Sequence, residues 1–262
     1  MNPIITLTSD FGLADHYVGA MKGVISRICP NANVIDITHE IPLFNVYAGA
    51  YAISQAAPYF PAEAVHVVVV DPGVGTSRRG IAFRNQAGGT FIAPDNGVLT
   101  PFWPEQDRLN VRELTNESLW LSGHSITFHG RDLFAPAAAQ LAAELIDWAD
   151  LGPPVLDVIR LPNLKAVQSR GGQWVGTILS VDRFGNVITN LPSRIGLSPG
   201  FAVTTAGHEI RQFRRTFGEA APDELFVYAG SSGYYEIGIN QQSAAERLGV
   251  VPGHPVLLAV SA

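Results

Sequence analysis

Cysteine is almost missing from this 262-residue chain: Cys29 stands alone. That excludes an intrachain disulfide scaffold and a Cys-rich zinc site. Charge is scarce as well. The 17 Lys+Arg and 23 Asp+Glu make up 15% of the residues, against roughly 25% in an average soluble domain. There is no run of Lys or Arg and the net charge is −6, which argues against binding nucleic acid through its phosphates. Long apolar runs are missing too. The strongest, Val65 to Val70, is strand-sized and far short of the ~18–20 residues of a membrane span. Met1 to Ser9 shows neither the basic segment nor the cleavage site of a signal peptide, so the cytoplasm is the expected compartment. What is abundant is apolar residues (47%), glycine (26) and proline (18). Such a chain buries a large core, turns often, and has a sparsely charged surface of which part is expected to be covered by a partner. Disorder and a coiled coil are excluded.

The first part of the chain alternates between two periodicities. Ile4 to Thr8 and Val34 to Ile37 are short β-rich runs, and Val65 to Val70 is the continuous β-branched run expected of a strand buried on both faces. Between them Tyr17, Val18, Met21, Val24, Ile25 and Ile28 recur at helical spacing up to Pro30, and helices are also predicted over Val46 to Ala57 and Leu133 to Trp148. This order predicts an α/β domain, a mainly parallel sheet with helices on both faces. From about Gly171 the texture changes to short runs separated by Gly, Pro and Ser: Trp174 to Val181, Asn186 to Asn190, Phe201 to Thr205, Leu225 to Ala229, Tyr234 to Asn240 and Pro255 to Val260. These predict a smaller antiparallel β-barrel or sandwich. The expected division is residues 1–160, a linker over 161–172, and residues 173–262.

In open α/β sheets, ligands gather at the carboxyl ends of the strands. Two predicted strands end in an acid followed closely by glycine: Ser9-Asp10-Phe11-Gly12 and Asp71-Pro72-Gly73-Val74-Gly75. A carboxylate there suits a ribose diol or a water to be activated. Either acid alone serves equally well as a turn cap; the pair favours a site. Phosphate-binding spacings (G-x-G-x-x-G, G-x-x-x-x-G-K-[ST]) and H-E-x-x-H do not occur, and His124, His129 and Asp132 match no standard metal spacing. His129-Gly130-Arg131-Asp132 nevertheless sets a polar cluster before a predicted helix, where no core position calls for it. Later, Asp182-Arg183-Phe184-Gly185-Asn186 offers an amide for a purine edge and a carboxylate for an ammonium. Gly230-Ser231-Ser232-Gly233-Tyr234-Tyr235-Glu236 sets small hydroxyls beside an acid. Taken singly, both fit ordinary hairpin chemistry.

The ordered set is more specific than its parts. Thr8-Ser9-Asp10-Phe11-Gly12 with Asp15 and Tyr17 to Gly23, Val70 to Thr76 with Arg78, Ala93-Pro94-Asp95-Asn96-Gly97, Thr127 to Asp132, Asp182 to Asn186, and Ser231 to Glu236 follow one another along nearly the whole chain. In this the chain resembles the S-adenosyl-L-methionine hydroxide adenosyltransferases, hydrolytic relatives of the bacterial fluorinase and chlorinase. The resemblance implies a Rossmann-like N-terminal domain, a C-terminal β-barrel, and a homotrimer with ligand bound where one subunit's N-terminal domain meets a neighbour's C-terminal domain. By matching motif positions it implies that Asp71, Arg78 and His129 hold and polarise the attacking water. The motif offset alone selects Arg78 over its neighbour Arg79. It further implies that Asp10 binds the ribose hydroxyls, that Phe44 lies beside the sugar or adenine, and that Asn186 and the backbone around Ile239 contact adenine. Asp15, Asp182, Ser231 and Glu236 would surround the methionine end, where this chain has Ser232 and the halide-using relatives carry Arg.

The implied reaction suits what the sequence lacks. In S-adenosyl-L-methionine the ribose C5′ already bears a sulfonium that leaves as neutral methionine, so neither a metal, a cofactor nor an acid is expected. Bringing water into line with the C5′–S bond can supply ~7–11 kcal/mol, with Asp71 and His129 as candidate proton acceptors. The implied products are adenosine and L-methionine, and the family is associated with the R sulfonium epimer. Halide use is the nearest competing chemistry. A carboxylate at Asp71 would repel a halide, and the halide-using relatives lack that acid and have Tyr in place of His129. The other alternative is a non-catalytic sensor that binds adenosine or S-adenosyl-L-methionine through Asp10 and Asn186.

Overall fold

The computed structural model describes residues 2–103 and 110–260. The chain divides into two compact units, Met1–Leu161 and Pro162–Ala262.

The first unit is built on a six-stranded sheet: β1 (Ile4–Ser9), β2 (Asn33–Thr38), β3 (Val65–Val69), β4 (Gly80–Arg84), β5 (Thr90–Pro94) and β6 (Val111–Glu113), in spatial order β2-β1-β3-β5-β4-β6. Strands β2, β1, β3 and β5 run parallel, and β4 runs against both β5 and β6. Three α-helices cover it: α1 (Tyr17–Ile28), α2 (Val46–Ala56) and α3 (Ala135–Ala142). The period-2 alternation of β3 explains the two-sided burial. Val65, Val67 and Val69 join a core with Met21, Val24 and Ile25 of α1 and Ala135 and Ala138 of α3. Val68 points the other way, into a core with Ala50 and Ile53 of α2. The mainly parallel sheet with helices on both faces is therefore as the sequence predicts.

Two features differ from expectation. Strands β4, β5 and β6 are not among the expected strands; the apolar runs of β4 and β5, Ile81-Ala82-Phe83 and Phe91-Ile92-Ala93, are only three residues long. The helix expected over Leu133 to Trp148 is also broken into pieces. Residues Gly130–Phe134 form a widened π-type turn, α3 ends at Ala142, and a separate 3-10 turn spans Trp148–Leu151. Glu144 takes a left-handed φ of 54°, and the Leu145 N–H bonds back to the Gln140 carbonyl at 3.0 Å. That geometry closes a helix, and the Ala- and Leu-rich composition could not signal it.

The second unit is antiparallel: β7 (Val167–Gln168), β8 (Trp174–Val181), β9 (Val187–Pro192), β10 (Ala202–Thr205), β11 (His208–Ile210), β12 (Leu225–Ala229), β13 (Tyr234–Ile239) and β14 (Pro255–Ala259). The order is β11-β10-β14-β8-β9-β13-β12, with β7 paired to β8. The segment after β11 bonds to β12, Val227 N–H to Gln212 carbonyl at 2.8 Å, so the sheet is nearly closed into a barrel. Inward side chains Ile178, Val187, Leu191, Val203, Val227, Ile237 and Val256 form one core. A short helix, α4 (Ala244–Leu248), is capped by Ser243 Oγ on the Glu246 N–H and stopped by left-handed Gly249.

Candidate active site

The first unit has a topological switch point. The chain leaves β1 through α1 to reach β2 on one side, then returns through α2 to β3 on the other. Ligands of open α/β sheets bind where the order reverses in this way. Ser9 at the end of β1 lies opposite Val69 at the end of β3, so Asp10, the next residue, and Asp71, two residues on, emerge at the same edge of the sheet and line one cleft. A cleft of about 410 Å³ opens there, lined by Asp10, Asp15, Phe44, Asp71 and His129 together with Phe11, Tyr17, Leu43, Thr127 and Phe128. The aromatic part of this wall, Phe11, Tyr17 and Phe128, forms mutual ring contacts with centroids 5.0–6.0 Å apart. Sequence reasoning assigned these rings no role in the site; Tyr17 reads as helix core although it is 40% exposed.

Asp10 is fixed by its surroundings. Its Oδ2 accepts the Phe44 N–H at 2.8 Å, which requires Phe44 to take a φ of 63°. The Phe44 ring remains 66% exposed. Burial is the largest influence on the Asp10 carboxyl and raises its pKa; the nearby Asp71 charge adds to this, against the lowering effect of the Phe44 N–H. Behind Asp10, Ser9 Oγ lies 2.7 Å from His39 Nδ1, and His39 Nε2 lies 3.1 Å from Asp36 Oδ1. This buried polar group ties the end of β1 to β2.

Asp71, Arg78 and His129 come together from separate segments. Arg78 clasps Asp71 in a two-point pair, with Nε 2.9 Å from Oδ1 and Nη2 on Oδ2. The same Nη2 lies 2.9 Å from His129 Nδ1. A guanidinium only donates, so Nδ1 accepts and carries no proton. Burial first, and then the Arg78 charge, lowers the His129 pKa; the ring is thus neutral at pH 7 with its proton on Nε2. The Arg78 side chain is 9% exposed, and its Nη1 is buried without a hydrogen-bond partner among the described residues. Arg79 turns elsewhere, to Asp95 and Asp157. Asp132, which sequence pattern groups with His129, is buried and accepts the Ser125 N–H at 2.7 Å and the Arg131 guanidinium. It braces the loop that carries His129.

The remaining predicted residues lie in the second unit. Asn186 and Ile239 line a cleft of about 570 Å³ with Phe184, Phe217 and Gln242. Asp182 Oδ1 accepts the N–H groups of Phe184 and Asn186 at 2.9 and 2.8 Å, and its Oδ2 accepts Asn186 Nδ2 at 2.8 Å. The carboxylate thereby orients the Asn186 amide, whose oxygen is left as the acceptor. Glu236 is buried; Tyr228 Oη donates to its Oε2 at 2.5 Å and Ser232 Oγ lies 3.4 Å from Oε1. Burial raises the Glu236 pKa, opposed by those hydroxyls. Its carboxylate sits against Gly230, where a methyl group would come within 1.9 Å of Oε1, so a side chain at residue 230 would displace the Glu236 carboxylate. Ser231 lies in the exposed turn between β12 and β13.

Comparison with known proteins agrees with this architecture. Residues 5–152 match the SAM hydroxide adenosyltransferase N-terminal domain and residues 176–257 its C-terminal domain. The chain is 41% identical over 263 residues to an (R)-S-adenosyl-L-methionine hydrolase of Salinispora tropica, covering 96% of this chain and 95% of that one. It is also 41% identical to a hydrolase of the same name from Thermus thermophilus, covering 98% and 100%. A fluorinase of an Actinoplanes species is 29% identical over 72% of each chain. An uncharacterised conserved protein of Thermotoga maritima has a crystal structure that superposes with a TM-score of 0.86 at 37% identity, covering 98% of this chain and 99% of the other.

Proposed function

The chain belongs to the S-adenosyl-L-methionine hydroxide adenosyltransferase family, and on that premise we propose that it hydrolyses (R)-S-adenosyl-L-methionine to adenosine and L-methionine in the cytoplasm. The observation that carries the reading is the Asp71–Arg78–His129 cluster beside Asp10 at the sheet's switch point. Water attacks ribose C5′ opposite the sulfonium; its oxygen bonds to C5′, the C5′–S electron pair passes to sulfur, and methionine departs as a neutral thioether. One water proton must be taken up. His129 presents Nε2–H, a donor that orients the water oxygen, so Asp71 is the proton acceptor. Arg78 holds Asp71 and His129 in register from behind the cleft. No metal or cofactor takes part.

Asp10 binds the ribose hydroxyls and Phe44 covers the sugar. The Asn186 amide, whose Nδ2 is held by Asp182, offers its oxygen to the adenine N6 amino donor, with the backbone near Ile239 alongside. Asp15, Asp182, Ser231 and Glu236 surround the methionine end. The working assembly is a homotrimer in which the N-terminal unit of one chain and the C-terminal unit of a neighbour share the ligand. The 72% and 66% exposure of Leu43 and Phe44 at the cleft supports a covering partner there.

The test is incubation with each sulfonium epimer in ¹⁸O-labelled water, followed by chromatography and mass analysis. The expected result is methionine plus adenosine carrying the label in its 5′-hydroxyl, formed faster from the R epimer. Tight adenosine binding with no product from either epimer would establish the sensor instead. A 5′-halo product formed in chloride would establish halide use.

A further inference from the structure

One motif, Ala93-Pro94-Asp95-Asn96-Gly97, has no part in the reaction as described above, and neither Asp95 nor Asn96 lines the cleft. Its place in the sheet is informative. Strand β5 lies between β3, to which it is parallel, and β4, to which it is antiparallel. The carboxyl end of β5 therefore sits between the exit from β3 and the entry to β4. The loop joining those two strands, residues 70–79, carries Asp71 at one end and Arg78 at the other, and it arches over the end of β5.

Both ends of that arch are held by residues that follow β5. Asn96 Nδ2 donates to the Val70 carbonyl at 2.8 Å, one residue before Asp71, while Asn96 Oδ1 accepts the Val98 N–H at 3.1 Å. Asp95, 2% exposed, takes Arg79 Nε and Nη2 on its Oδ2 at 3.0 and 2.6 Å, one residue after Arg78. Its backbone N–H also donates to the Arg79 carbonyl at 2.9 Å. The Asp95 Oδ1 is held in turn by the Ile159 N–H at 2.9 Å. Between those ends, apart from the bonds of Arg78 to Asp71 and His129, the hydrogen bonds of the arch are local turns, such as Thr76 Oγ1 to the Gly73 carbonyl at 2.7 Å, which do not fix it to the sheet.

We infer that Asp95 and Asn96 are positioning residues for the hydrolysis: they clamp the two ends of the 70–79 arch and so set the distance between Asp71 and Arg78 that the water-holding cluster needs. This rests on the proposed hydrolase reading. A displacement of about 1 Å in a reacting constellation can cost ~100-fold in rate, so a clamp outside the cleft can control kcat without touching the substrate.

The experiment uses the full chain with Asn96→Asp, which keeps the shape and the acceptor but sets an oxygen against the Val70 carbonyl, and Asp95→Asn, which removes the charge facing Arg79. The expected result is a kcat about 10–100-fold lower in each, with KM for the R epimer and adenosine affinity within about twofold of the parent. Asp95→Glu is expected to recover part of the lost rate. Because Asp95 is buried and its variant could fail to fold, Asn96→Asp is also followed by ¹⁵N spectra of the His129 ring, which need no turnover. In the parent the ring is expected to be the Nε2–H tautomer. In Asn96→Asp its titration midpoint is expected to move up as Arg78 is released. Parent-like kcat in Asn96→Asp, or an unchanged His129 spectrum, overturns the clamp. Absence of product from the parent chain overturns the hydrolase reading alone, and the His129 spectra still decide the clamp.

Discussion

The charge-assisted pair between Asp71 and Arg78 occupies one lone pair on each carboxylate oxygen, and a carboxylate has about four acceptor positions. Asp71 therefore has capacity left to receive a proton. Asp71→Asn keeps the shape but loses the base, and kcat is expected to fall by at least about 100-fold, within the range of general-base catalysis. Adenosine affinity, measured by calorimetry, is expected to stay within a few-fold, since Asp10 and Asn186 are untouched. Parent-like turnover of this variant would remove Asp71 from the mechanism. The pH profile follows from His129. Its neutral form accepts from Arg78, and its pKa lies below the ordinary 6.5. The kcat is thus expected to be level above pH 6.5 and to fall only in more acid solution, as the ring gains a proton. A fall that begins above pH 6.5 would contradict that assignment. The two strand-end acids were legible in the sequence because a strand that stops at Asp-x-Gly announces itself. The choice of Arg78 over Arg79 rested on the motif offset alone, because two neighbouring side chains are separated only by the direction the backbone gives each.

At the scale of the element, β3 carries a second titratable group with a different role. His66 is buried on the strand, 2.8 Å from Thr6 Oγ1, and its ring stacks on Phe91 with centroids 4.8 Å apart. Burial lowers its pKa from 6.5 to about 4. The unfolded chain binds a proton at His66 below pH 6.5, whereas the folded chain does not until about pH 4. Stability is therefore unaffected by this group above pH 6.5 and is lost progressively as pH falls towards 4. The loss is of order 3 kcal/mol when summed over that window. Urea unfolding of the parent and His66→Gln between pH 7 and 4 is expected to show a shallower decline in the variant, and parallel declines would exclude His66 as the cause. Helix α2 gives a smaller effect. Asn45 Oδ1 accepts the Ala48 N–H at 3.0 Å as its N-cap, so Asn45→Ala is expected to cost about 1 kcal/mol in the same measurement.

At the scale of the molecule, the sparse charge noted at the outset bears on assembly. Exposed apolar side chains such as Leu43 and Phe44 at the first unit's cleft are costly to leave in water, and a trimer that covers them would repay that cost. Light scattering after size exclusion is expected to give three times the 28.1 kDa chain mass. A stable monomer with full hydrolytic activity would count against a site shared between subunits.

The sequence by itself determined the class of each half of the chain, since the hydrophobic period of 3.6 or 2 reports which faces of a single element are buried. It also determined the family, because motifs are local strings that survive without knowledge of their contacts. Only the tertiary structure decided which side chains meet. His129 and Arg78 are 51 positions apart, and their contact depends on strand order, on the π-type turn at Gly130–Phe134 and on the arch held by Asp95 and Asn96. Asp132 and Asp182 look equally available in the sequence, yet both serve first to hold their own loops, because a loop carboxylate takes the nearest unpaired N–H groups before any ligand arrives.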